Sequence, residues 1–401
     1  MITKLAGARV ILGDDVVETD VTFADGKIVE IGGSGSADTI VDCRGYTLAP
    51  AMIDVHGDAF ERQMAPRPNV FFPTEAALLE TDRQLAANGI ATAYHALTLS
   101  WEPGLRSVQR GEAFLDALDA LDNRLMIENR IQLRWETFAF EAVPLIENAL
   151  RKPLTPSLAF NDHTSMTMRP LDLPAQDRLF EHNPDFATAD LSDPAFMARA
   201  GRIGPRAGLS SEDYYALLID VWQRRSEVPA TISKVSELAR AAGAPMLSHD
   251  DTQDETRSYF RSKGATISEF PMRVPVARTA KKRGDTIVFG APNVVRGGSH
   301  IGSPSAADMV EDGLCDILAS DYFYPAMLTA IARLLDEKRG TLSDLWSLVS
   351  KAPAEASRLA DRGEIAVGKR ADLIVIDWPE GKTPAVKLAT SNGRTAYSTH
   401  F

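Results

Sequence analysis

An α/β fold is predicted, a (β/α)8 TIM-like barrel carrying a small β-sandwich domain formed by both chain termini, and three observations predict it. Short apolar runs alternate with amphipathic stretches through the middle of the 401-residue chain, the rhythm of parallel α/β folds. Eight such runs fall within roughly 310 residues, the span of a single barrel. Residues 1–50 and 364–401 instead read as short strands separated by Gly and Asp turns.

The elements follow in order. Ala8–Leu12, Asp20–Phe23 and Lys27–Ile31 alternate as strands, and Glu364–Ile376 reads the same way. The small domain is therefore placed at 1–50 and 364–401, with the barrel at 51–363. The barrel strands are expected at Ala51–His56, Ile90–Leu97, Ile131–Glu136, Ser157–Asp162, Pro245–His249, Thr266–Phe270, Thr286–Gly290 and Asp316–Ser320. Helical periodicity lies between them, at Glu75–Asn88, Arg110–Asn123, Ser210–Ala242 and Ala326–Glu337. The gap at 164–210 is rich in Pro, Asp and Arg and reads as an insertion over the barrel mouth, a lid or an oligomer contact.

Composition narrows the function. With 43 basic and 55 acidic residues the net charge is −12, which argues against a nucleic-acid or acidic-membrane binder. A small anionic substrate stays compatible, because a metal and a few local arginines override a diffuse field. Cys43 and Cys315 imply no disulfide framework, and no signal segment or bilayer-length apolar run is seen; a cytoplasmic protein is expected.

The chemistry lies where the strands stop. The first strand ends in His56-Gly57-Asp58, and side chains at i and i+2 of an extended chain share a face. The third ends in Glu136, the fourth in Asn161-Asp162-His163, the fifth in Ser248-His249-Asp250-Asp251, and the eighth in Ser320-Asp321. Three of seven histidines close barrel strands. His56, Asp58, Glu136, His163, His249 and Asp321 form the candidate ligand set, a mixed nitrogen and oxygen set suited to two divalent ions of the Zn, Mn or Fe kind. Two such ions lower the pKa of a shared water from ~15.7 toward ~7. Glu136 is the candidate bridge, since no lysine ends an expected strand. Asp321 is the candidate general base.

Alternatives stand beside several of these. Asp162 competes with His163 as ligand, and Asp250 and Asp251 compete with His249; a carboxylate next to a ligating histidine commonly orients it, the role assigned to Asp250 and Asp251. His95 reads as packing, His182 and His400 as surface, and Cys315 as a small buried hydrophobe. His300, after Gly297-Gly298-Ser299, is a loop residue or a substrate contact.

These residues resemble the amidohydrolase superfamily. The likeness is carried by His56-Gly-Asp58 after an apolar strand, Ser248-His-Asp-Asp251, Ser320-Asp321 and the tail Gly363-Glu-Ile-Ala-Val-Gly-Lys-Arg-Ala-Asp-Leu-Ile-Val-Ile376. It implies a metal-bearing barrel with a small sheet domain from both chain ends. The two later histidines fall on strands four and five in this count, where the superfamily usually uses five and six.

Further segments resemble one branch, which acts in phosphonate catabolism and hydrolyses a ribose triphosphate ester to the 5-phosphate and pyrophosphate. They are Ala65-Pro-Arg-Pro-Asn-Val70, Ile267-Ser-Glu-Phe-Pro271, Gly290-Ala-Pro-Asn-Val-Val-Arg-Gly-Gly-Ser-His300 and Leu318-Ala-Ser-Asp-Tyr322. The resemblance implies an anionic, phosphorylated substrate, with Arg67, Arg296 and His300 as candidate contacts; an arginine's planar fork of donors matches phosphate oxygens. A homo-oligomer is compatible with this reading. Two other function classes use the same barrel: a C–N hydrolase acting on an amide or cyclic amide, and a non-catalytic scaffold.

Overall fold

The computed structural model describes residues 1–183, 185–299 and 301–400. Its centre is a parallel sheet of eight strands hydrogen-bonded in chain order: β1 (Met52–Gly57), β2 (Ile90–Leu99), β3 (Glu128–Glu136), β4 (Ser157–Asn161), β5 (Met246–His249), β6 (Ile267–Glu269), β7 (Thr286–Gly290) and β8 (Ile317–Ala319). Every residue of β1 and β2 is buried, as in parallel strands covered on both faces. Val55, Ala159, Leu247, Ile267, Val288 and Ile317, from six strands, meet in one apolar cluster that ties the ring together beside its hydrogen bonds.

The ring is nearly closed, and site residues close it. A bridge joins Gly57 to Asp321. The Asp58 N–H donates to the Asp321 carbonyl at 2.8 Å, and the Asp321 N–H donates to the His56 carbonyl at 2.9 Å. Beneath this seam the buried Asp54 carboxylate accepts from the Ser320 N–H at 3.0 Å and the Ser320 hydroxyl at 2.5 Å. The seam fixes the backbone from which His56, Asp58 and Asp321 project.

Both termini build a separate mixed sheet. Its order is Arg394–Ser398, Ala385–Ser391, Leu373–Asp377, Thr47–Pro50, Ile2–Leu12, Asp15–Ala24 and Lys27–Ile31, with Thr39–Asp42 alongside Ile2–Leu12. The expected sandwich is thus, in its hydrogen bonding, one continuous sheet. The two chain ends join where Leu373–Asp377 runs antiparallel to Thr47–Pro50. Leu5, Val10, Phe23, Leu48, Leu373 and Val375 supply its core.

Two elements differ from the sequence reading. The Ser210–Ala242 periodicity divides into helices Ser211–Gln223 and Val228–Ala241. Pro229 lies in the first turn of the second, where its missing N–H costs nothing; within one continuous helix it would remove a hydrogen bond. The strand expected from Glu364 begins at Leu373, because Gly368 turns the chain at φ 88°. Segment 164–210 docks on the rim after β5: Thr252 Oγ1 and Gln253 Nε2 donate to the Arg178 carbonyl at 2.7 and 2.9 Å. No helix among the described residues is long and apolar enough to cross a membrane.

Candidate metal centre

The C-terminal ends of β1, β5 and β6 converge on a carboxylate. Glu269, the last residue of β6, is fully buried. Its Oε2 accepts from His249 Nδ1 at 2.8 Å, its Oε1 lies 3.1 Å from His56 Nδ1, and Gln132 Nε2 donates to Oε1 at 2.8 Å. The two imidazoles stack with centroids 5.4 Å apart. Burial opposes the Glu269 charge, but His56 and His249 outweigh it and hold the carboxyl well below the usual range. For His56, burial disfavours the imidazolium and the Glu269 charge overcomes it, so its pKa rises; burial dominates at His249 and lowers it.

This carboxylate turns both rings so that Nδ1 faces Glu269, leaving Nε2 for a ligand. His56 Nε2 is buried and has no hydrogen-bond partner among the described residues. Around it, His56, Asp58 and Asp321 each offer an atom within 4.8 Å of the others; His163, His249 and Asp250 do the same. The unpartnered nitrogen and the mixed nitrogen and oxygen donors fit a divalent ion. His56, Asp58 and Asp321 would hold one ion, and His163, His249 and Asp250 a second.

The remaining donors are placed as follows. His163 begins the helix His163–Met168, with its Nδ1 2.6 Å from Glu136 Oε1 and its Nε2 4.0 Å from Asp250 Oδ2. Burial opposes ionisation of Glu136, and His163 more than compensates, lowering its pKa. Glu136 is therefore tied to His163 and lies outside both donor triplets. Asp321 adopts the left-handed φ of 54°, and burial pushes its carboxyl up to about 6.

Asp162 turns the other way. It caps its helix, accepting from the Ser165 N–H and hydroxyl at 2.7 Å each. Asp250 Oδ2 lies 3.5 Å from His249 Nε2, on the ligand side of the ring rather than the orienting side. Asp251 also does not orient His249. It accepts from the Ser248 hydroxyl at 2.5 Å and pairs with Arg257 at 3.4 Å, both groups fully buried; a charge this deep needs its own partner, which draws it from the histidine. The orienting carboxylate is Glu269.

A cavity of about 250 Å³ opens over these donors, lined by Asp58, Arg134, His249, Asp321 and, on its walls, Arg106 and Arg296. Arg67 is exposed and is not among its lining residues. His300 lies outside the described residues. His95 packs, as expected, with Nε2 2.7 Å from Asn129 Oδ1 and burial lowering its pKa to about 4. His182, expected at the surface, is instead half-buried and stacks on Tyr259 with centroids 4.7 Å apart.

Two residues at the centre went unassigned from sequence. Glu269 lies one residue before the end of an expected strand, so a slightly looser strand-end rule than the one that selected His249 would point to it. Arg134 lies two residues before Glu136, on the same face of β3. Its guanidinium is buried, with Nη2 2.8 Å from His249 Nε2, Nη1 3.5 Å from Asp58 Oδ2 and Nε donating to Asn161 Oδ1 at 3.1 Å.

A nearly closed parallel barrel whose strand ends gather imidazoles and carboxylates around one cavity is an arrangement that suits metal-dependent hydrolysis. The profile of the amidohydrolase family matches residues 223–396. The chain is also similar to the alpha-D-ribose 1-methylphosphonate 5-triphosphate diphosphatase of Escherichia coli (strain K12), 29% identical over 373 residues, covering 92% of this chain and 93% of that one. Both matches make the chain similar to the amidohydrolase family and support a hydrolase. Among solved structures, molinate hydrolase matches with a TM-score of 0.62 at 13% identity, over 98% of this chain and 94% of that one. Phenylurea hydrolase B matches with a TM-score of 0.62 at 13% identity, over 98% and 96%. These two share the fold.

Proposed function

We propose that the chain hydrolyses the triphosphate of α-D-ribose 1-methylphosphonate 5-triphosphate to the 5-phosphate and pyrophosphate, in the cytoplasm, as a step of phosphonate catabolism. The observation that carries this reading is the placement of Arg106, Arg134 and Arg296 around the same cavity as Asp58, His249 and Asp321. The 29% identical diphosphatase, matched over 92% of this chain, supports it.

Two divalent ions of the Zn, Mn or Fe kind would supply Lewis acidity in that cavity and make water a stronger acid. The chain's own residues do the rest. His56, Asp58 and Asp321 would hold one ion and His163, His249 and Asp250 the other, while Glu269 keeps both β1 and β5 imidazoles turned toward them. Arg296 and Arg106 donate to the anionic phosphate oxygens, where charge builds in the transition state. Arg106 is held by two 2.9 Å bonds to Glu61, which fixes its fork at the cavity wall. Asp321 faces the cavity beside these donors and would take the proton of the attacking water.

Hydrolysis of an amide C–N bond draws on the same donors but gives no work to three cavity arginines. Assaying pyrophosphate release and cyclic-amide hydrolysis side by side separates the two. Release of pyrophosphate with no amide turnover is expected; the reverse sinks the phosphate reading.

A further inference from the structure

His249 has two ring nitrogens with different obligations. Glu269 Oε2, 2.8 Å from Nδ1, is a carboxylate oxygen, so Nδ1 carries the proton. Nε2 therefore presents a lone pair, and Arg134 Nη2 donates to it at 2.8 Å. A guanidinium only donates. The single lone pair that Arg134 takes is the one His249 would offer to an ion shared with His163 and Asp250.

Arg134 is also anchored elsewhere. Nε donates to Asn161 Oδ1 at 3.1 Å, and Nη1 stands 3.5 Å from Asp58 Oδ2. Both anchors lie away from His249 in sequence, on β4 and after β1, so loss of the His249 contact leaves the fork held at the cavity wall. Its Nη2 would then carry an unused donor into a cavity already walled by Arg106 and Arg296.

We propose that Arg134 and a divalent ion compete for His249 Nε2, and that entry of the ion releases the guanidinium to bind the substrate's phosphate chain. This role rests on the phosphate reading above and adds a coupling to it. The second ion site and the phosphate clamp are made in one exchange: a cation replaces a cation at His249, and the displaced one turns to the anion. A lysine cannot do this, because a point charge lacks the fork that spans Asn161, Asp58 and His249 together.

The test is Mn²⁺ affinity measured by competition with a chromophoric chelator, for the wild-type chain, Arg134→Met and Arg134→Lys, paired with inhibition by pyrophosphate at saturating Mn²⁺. Thermal unfolding checks that each variant folds, and Arg134→Lys, which keeps the charge, serves if Arg134→Met does not. Removing a charge-assisted competitor is expected to tighten the second Mn²⁺ equivalent in Arg134→Met by about tenfold or more. Pyrophosphate inhibition is expected to weaken by a similar factor, with Arg134→Lys tightening Mn²⁺ less and failing to restore inhibition. Unchanged affinity for the second equivalent overturns the exchange, and so does tighter Mn²⁺ with undiminished pyrophosphate inhibition. A wild-type chain that binds no Mn²⁺ fails at the earlier step, the metal centre itself.

Discussion

The rim carries two buried clusters of histidine and carboxylate, and they behave differently. One is His56, His249 and Glu269 with Asp58 and Asp321; the other is Asp162, Glu181 and His182, where segment 164–210 docks. In the first, the one carboxylate between the rings is used to aim them, and the outward nitrogens and carboxylates face a cavity of about 250 Å³. In the second, the carboxylate oxygens already have partners, while His182 Nε2 is buried without a hydrogen-bond partner among the described residues. Ser165 takes both oxygens of Asp162, the buried Arg178 stands 3.6 Å from Glu181, and His182 stacks on Tyr259. None of these three lines the cavity over the first cluster. The same residue types suit a metal site where the donors face an open cavity, and a structural joint where caps and ion pairs absorb the carboxylates.

Ligand deletion separates the clusters most sharply. His249→Ala is expected to lower kcat/KM for the triphosphate by on the order of 10³-fold and to cut bound metal, read by elemental analysis. His182→Ala, in the other cluster, should leave both within a few-fold, roughly the scatter of such comparisons. Comparable losses from the two variants would erase the distinction.

The aiming carboxylate comes next. Glu269→Gln is nearly isosteric but removes the charge that turns the two imidazoles, and metal affinity should fall roughly 10–100-fold by chelator competition. Retained affinity would mean that the rings are held by packing, with Phe270 edge-on to both.

The cavity wall is tested by Arg296→Ala. It should raise KM for the triphosphate about tenfold, and leave KM for a neutral ester unchanged, because only an anion uses the fork. Equal effects on both substrates would remove Arg296 from phosphate recognition.

The smallest effect belongs to the structural joint. Burial first, then Glu181 and Glu136, push the Asp162 carboxyl up to about 8, whereas an unfolded aspartate titrates near ~4. Between those values the native chain holds a proton that the unfolded chain has released, so stability falls as pH rises from about 4 to about 8. Asp162→Asn keeps a capping side chain and abolishes this loss. It should be neutral near pH 4 and increasingly stabilising as the pH rises toward 8 in denaturant titrations. A constant difference across pH would contradict the assignment.

Much of the barrel was legible because each strand is a short apolar run stopped by polar residues. Thr286–Gly290 was read with its observed ends, and the other seven barrel strands lie within three residues of the reading at each end. His56, Asp58, His249 and Asp321 were legible because each closes such a run. Glu269 went unassigned because its neighbours Ser268 and Phe270 give it the look of an ordinary strand terminus; its importance arises from His56 and His249, which are distant in sequence. Arg134 was harder still. An arginine inside a strand reads as a solvent-facing charge, and only the approach of Asp58, Asn161 and His249 from three other segments makes its burial tolerable. The split at Gln223–Val228 was hidden because the amphipathic period continues across Pro229.

The most direct measurement is ³¹P NMR of the products formed from α-D-ribose 1-methylphosphonate 5-triphosphate by the Mn²⁺-loaded chain. Equimolar pyrophosphate and 5-phosphate, abolished in His249→Ala, is the predicted result. Orthophosphate as the first product, or an unchanged substrate spectrum with metal bound, would contradict the account.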